Sequence, residues 1–215
     1  MMTRWCSIVL VILLASSAHA QRPVTPLTAA ELPAQLAPPT RQAIVRLGDS
    51  LRAARLPDEP LYSKAAEGVL KGANDARILA AVRTLARELG EARSALGESA
   101  DDAELLAGAS ALHVGASPAM LARLQDTHRA AAASRGHTSL ATPLVALTDL
   151  LTRRVPAPAA AAAIDSLVAS GAPADDFASL RAAVERDIGA GRTPEAAVAQ
   201  RTQVILRGLD ARKTP

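Results

Sequence analysis

The run Asn74-Asp-Ala-Arg-Ile-Leu-Ala-Ala-Val-Arg-Thr-Leu-Ala-Arg-Glu-Leu-Gly-Glu-Ala-Arg-Ser-Ala-Leu-Gly97 decides the fold class. Ile78, Leu79, Val82, Leu85, Ala86 and Leu89 recur at helical spacing and form a stripe wide enough for burial against other helices. Asn74 or Asp75 can start this helix, and Gly97 stops it after Leu96. The whole chain repeats that chemistry. Its 215 residues include 50 Ala and 29 Leu but one Trp, one Tyr and one Phe. Strands favour aromatic and β-branched residues, so this composition points to an all-α protein.

Working outward, Ile44, Leu47 and Leu51 give a first helix over about Arg41 to Arg55. Asp58 can cap a second, with Pro60 in its first turn and Leu61, Ala65 and Val69 on one face, running to Gly72. Ser117-Pro118, Thr142-Pro143 and Thr193-Pro194 each pair a capping hydroxyl with a proline at the first helical position. Ala157-Pro158 and Ala172-Pro173 are weaker versions. Gly115, Gly171 and Gly191 precede these sites and suit the left-handed residue that closes a helix. The expectation is about nine short helices joined by Gly/Pro turns as αα-hairpins, forming an irregular bundle or a solenoid-like array. The core is expected from Leu, Ile and Val positions such as Ile44, Leu61, Val69, Val82, Leu85, Leu105, Leu106, Leu144 and Ile164, with Phe177 buried among them.

The first twenty residues contain Arg4, an apolar run from Cys6 to Ala15, and Ala18-His19-Ala20, the three parts of a secretory signal cleaved after Ala20. Ten apolar residues reach only about half of a hydrocarbon core roughly 30 Å thick, which argues against a membrane anchor. Residues 21–39 carry five prolines and read as a flexible spacer leading into a single helical domain over 40–212. Cleavage would remove the only Cys, so the mature fold has to rely on its core or on a partner rather than on disulfides.

Arg outnumbers Lys 21 to 3, as expected from a GC-rich bacterial genome. Basic and acidic residues alternate along the helices without stacking aromatics, so nucleic acid is not an expected partner. Two of the three lysines bracket one acid: Lys64, Glu67 and Lys71 share a helical face beside Tyr62. These four residues form the candidate partner-binding face. The alternative is a solvated ion-pair face over a tight helix crossing, a crossing that would explain Gly68 in mid-helix.

The histidines His113, His128 and His137 lack metal-ligand spacing and have no cysteine to join them. No metal or cofactor is expected, and the histidines read as surface groups near helix ends. There is no Gly-x-Ser-x-Gly elbow and no phosphate-binding glycine loop. The acid pairs Asp101-Asp102 and Asp175-Asp176 fall in expected first helical turns, where they complement the helix dipole. No catalytic residue is assigned. The expected function is that of a non-enzymatic, exported bacterial module, periplasmic or secreted, that is protein-binding or envelope-associated and meets another envelope or secreted protein, or an envelope component, through a helix surface or groove. The alternative from another class is a hydrolase or glycan-processing enzyme built on dispersed carboxylates such as Glu67 and Asp149. If the export reading is right, the protein recovered from the periplasm or medium begins at Gln21 by N-terminal sequencing; a cytoplasmic protein with an intact start overturns it.

Overall fold

The computed structural model describes residues 28–135 and 139–213. Residues 1–27, and with them the signal sequence and the first part of the spacer, lie outside the described residues. Those described form nine α-helices and a short 3-10 turn, with no strand. The helices are α1 (Pro38–Ala53), α2 (Glu59–Leu70), α3 (Asp75–Leu96), α4 (Asp102–His113), α5 (Pro118–Arg135), α6 (Ala141–Thr152), α7 (Ala157–Ser170), α8 (Ala174–Gly189) and α9 (Pro194–Lys213).

The starts of α3, α5 and α9 follow the capping chemistry read from the sequence. Asn74 accepts the Arg77 amide at 2.9 Å, Ser117 accepts that of Met120 at 3.2 Å, and Thr193 accepts that of Ala196 at 3.4 Å. Two starts differ. Asp58 precedes α2 but its carboxylate does not cap it, because Arg52 and Tyr62 occupy it instead. Helix α6 begins at Ala141 rather than at Pro143, since the buried Leu140 is anchored by its amide donating to Glu104 at 2.7 Å. Pro143 then falls in the first turn, where its missing N–H had no helical partner.

Several helix ends share one device. Gly171 closes α7 in the left-handed region, and the next amide, Ala172, reaches back to the Leu167 carbonyl at 3.0 Å. Two non-glycine residues, Arg55 (φ 55°) and Arg154 (φ 61°), do the same after α1 and α6. Leu56 and Val155 follow them, bond back to the Leu51 and Leu150 carbonyls at 2.9 and 3.1 Å, and bury their side chains, which locks each turn.

The substantial packing contacts never join elements more than two places apart among the described residues. Helices α1, α3, α5, α7 and α9 lie side by side in that order as one layer. In the second layer α4 packs on α6 and α6 on α8, while α2 sits on α1 and α3. This progression is that of a solenoid-like array, not a closed bundle. Successive helices pack on one another at α1 with α2, α2 with α3, α3 with α4, α6 with α7 and α8 with α9; at the other turns the chain moves on to pack two places away.

One continuous core runs through both layers. Ile44, Leu61, Val82, Leu89, Leu105, Leu144, Ile164 and Leu180 are fully buried, and Phe177 is 3% exposed. Val69, Leu85, Leu106, Leu151, Ile188 and Ile205 are only half-buried against that core. The spacer reading is corrected for its second half. Leu32 and Leu36 insert into the core, the Arg41 guanidinium donates to the carbonyls of Pro33, Ala34 and Leu36, and the Ala37 amide donates to Asp75 at 2.9 Å. Two leucines at this spacing on a segment of turns cover apolar helix surface that a free spacer would leave in water.

Gly68 meets the tight crossing expected of it: a Cβ there would stand 2.7 Å from Ile78 Cγ1 on α3. At Gly90, also in a helix, a Cβ would meet nothing within 4 Å beyond its own helix. The same substitution therefore has opposite signs at the two sites. Gly90→Ala should stabilise by about 0.5 to 1 kcal/mol through helix propensity, and Gly68→Ala should destabilise by about 1 to 2 kcal/mol through overpacking, as read by urea midpoints.

Candidate functional site

Lys64, Glu67 and Lys71 come together as the spacing implies. Lys64 Nζ lies 3.0 Å from one Glu67 oxygen and Lys71 Nζ donates to the other, all three side chains being largely exposed. The hydrogen bonds from Lys71 and Lys64, reinforced by their charges, hold the Glu67 carboxyl down to about 2 from its usual 4.5. Beside them an open cleft of about 460 Å³ separates the end of α2 from the start of α3, lined also by Gly68, Arg77 and Ile78.

Tyr62 does not join that face. It is 3% exposed and points the other way, into the crossing of α1 and α2. Its hydroxyl donates to Asp58 at 3.1 Å, and Arg52 donates to the same Asp58 oxygen at 2.6 Å. Gly48 makes the room, since a Cβ there would fall 2.1 Å from the Tyr62 hydroxyl oxygen. Burial alone would raise the Asp58 carboxyl, but the hydrogen bonds from Arg52 and Tyr62 outweigh it and hold the group below the usual carboxylate range. Burial and the bond to Asp58 raise the Tyr62 phenol. Helical spacing could have shown this, because Tyr62 sits one residue after the core position Leu61 and three before the buried Ala65.

The dispersed carboxylates do not share a cleft. Glu67 is on α2 and Asp149 on α6, helices that do not pack together, and Asp149 is paired with Arg181 and lies 3.9 Å from Arg153. Three acids are buried, and each has a partner. Glu104 completes a capping box with Asp101 at the head of α4 and holds the Leu140 amide. Glu88 meets His113 at 3.1 Å between α3 and α4. Asp187 takes two hydrogen bonds from Arg201, at 2.6 and 2.7 Å, which hold its carboxyl below its usual range and tie α8 to α9. Asp102, Asp175 and Asp176 lie in first helical turns, with Asp101 as a cap.

His113 ends α4 and is exposed, as its surface reading expects, but His128 is buried on α5, so that reading is corrected for His128. His137 lies outside the described residues. No cluster of three or more His, Cys, Asp or Glu capable of holding a metal occurs among the described residues, and no described helix is long and apolar enough to cross a membrane.

The sequence reading missed a groove of about 480 Å³ between the second half of α5, the start of α6 and the turn joining α7 to α8. Phe177, Val168, Pro143 and Pro173 supply apolar walls, and His128, Ser139 and Thr142 interrupt them with polar groups. Its edges are two junctions that were legible only as helix starts, Thr142-Pro143 and Ala172-Pro173. Nothing in their spacing shows that α6 and α8 lie side by side and bring them together.

The Glu67 shift has a pH signature. A carboxyl whose folded value lies below its unfolded one contributes stability above about 4.5 that is lost as pH falls toward about 2. Glu67→Gln should therefore flatten the decline of melting temperature in that acid window, with high salt shrinking the difference between the two proteins. An identical decline in both would remove the ion-pair account. Comparison of the chain with protein-family models, with curated proteins and with solved structures found no match.

Proposed function

We propose that this chain is an exported bacterial binding module, without catalytic chemistry of its own, that holds an apolar segment of another envelope or secreted protein in the groove between α5, α6 and the α7 to α8 turn. The groove's lining carries this reading: apolar walls around Phe177 and Val168, with a few polar groups set among them, are the usual make-up of a binding pocket. The placement of the carboxylates supports binding over hydrolysis. Those that are buried cap a helix, hold a backbone amide or pair with a basic side chain, and Glu67 and Asp149 are set on separate faces.

A layered helical array suits such a role, because stacked helices present extended surfaces without needing a loop scaffold. The export half of the proposal rests on the amino-terminal sequence, with its charged, apolar and small-residue parts in order.

A photoreactive amino acid at Ala132 or Ala174, both lining the groove, tests the reading in intact cells. Each should crosslink to the same envelope or secreted protein, while the probe at Gln42 on α1 should not, and Thr142→Arg should abolish the product with little change in melting temperature. Equal capture from all three positions, or none from the groove, overturns the groove as the site.

A further inference from the structure

We propose that the cleft between the end of α2 and the start of α3 is a second binding site, one that takes an extended acidic segment of a partner protein. Its rim carries three cations, Lys64, Lys71 and Arg77, against one carboxylate, Glu67. Gly68 and Ile78 close its floor, packed so tightly that a Cβ on Gly68 would stand 2.7 Å from Ile78 Cγ1. Glu67 shows what the site accepts: a carboxylate bridging the two ammonium groups, one oxygen to each. Arg77 has no carboxylate partner among the described residues, and its planar fork suits a second carboxylate on an incoming chain.

Leu70 adds a different kind of contact. It is 88% exposed, against 46% for the next large hydrophobic residue, Val204. It ends α2 immediately before Lys71, beside the Lys64, Glu67 and Lys71 stripe but outside the lining of the cleft, where a segment running over the rim would meet it. An acidic segment with interspersed apolar residues complements both features. A recessed floor ringed by cations fits a strand of peptide better than a flat bilayer, which would reach only the rim. In this arrangement Glu67 is a resident competitor. A ligand carboxylate has to share Lys64 and Lys71 with it, which keeps binding weak, reversible and sensitive to salt.

The proposal does not depend on the groove around Phe177, and the two fail separately. It is tested by fluorescence anisotropy with a dye-labelled peptide of alternating glutamate and leucine, titrated with the exported protein at low and at high salt. A glutamine-for-glutamate peptide and phosphatidylglycerol vesicles serve as comparisons. The acidic peptide should bind and the glutamine peptide should not, with binding weakened by salt. Arg77→Glu should weaken it about tenfold and Leu70→Ser about two- to fivefold, whereas Glu67→Gln should tighten it about two- to fivefold by releasing both lysines. An acid at position 77 lies in the first turn of α3 and complements its dipole, so that variant is expected to fold; an unchanged melting temperature checks it. Indifference to Arg77→Glu, loss of affinity on Glu67→Gln, equal binding of the glutamine peptide, absence of binding by the acidic peptide, or capture by the vesicles alone each overturns the proposal.

Discussion

The rest of this structure depends on how closely its helices approach. With almost no aromatic volume to fill space between them, the axes have to come near enough for Leu, Ile and Ala to touch, and glycine is used where even a methyl group would intrude. Gly48 admits Tyr62 between α1 and α2, and Gly68 admits Ile78 between α2 and α3. Gly108 on α4 faces Ala92 and Leu96 of α3 and Leu121 of α5, where a Cβ would come within 3.1 to 3.3 Å of their carbons. Successive crossings in the first half of the array are thus set by an absent side chain on one helix and a fitted one on its neighbour.

Polar groups secure what the small residues bring together. Asp165 takes a 2.5 Å bond from Thr127 and a 3.3 Å bond from Arg123, pinning α5 to α7. Arg93 gathers the carbonyls of Gly97, Glu98 and Ala100 after α3 and reaches across to that of Arg55. The Arg93 bonds tie the turn after α3 to the turn after α1 through backbone carbonyls, each a charge-assisted contact.

Much of the helical pattern was legible because its signals are local. The Asn74 cap, the Gly97 stop and the hydroxyl-proline starts at Ser117 and Thr193 concern residues within a turn of one another, and glycine after a helix has a direct conformational meaning. Arg55 and Arg154 were opaque, because an arginine in the left-handed region is held there by the burial of the residue after it, which only the assembled fold supplies. The same distinction separates the two surfaces. Lys64, Glu67 and Lys71 were found by spacing along one helix, and the same spacing puts Tyr62 on the core side with Leu61 and Ala65; only the crossing with α1 that receives it at Gly48 needed the assembled fold. The groove around Phe177 depends on α6 lying beside α8, a neighbour relation between elements that the sequence does not encode at any fixed interval.

The restriction of packing to elements one or two places apart gives the molecule a low contact order. Folding needs no large loop to close before its contacts form, so the entropic barrier is paid in small steps and the chain can build its core from one end. A polypeptide delivered amino terminus first through a narrow passage would assemble α1, α2 and α3 without waiting for α9, leaving little apolar surface exposed for long. The same locality means that α9 can open while the first helices stay closed, so local stability need not be uniform along the array.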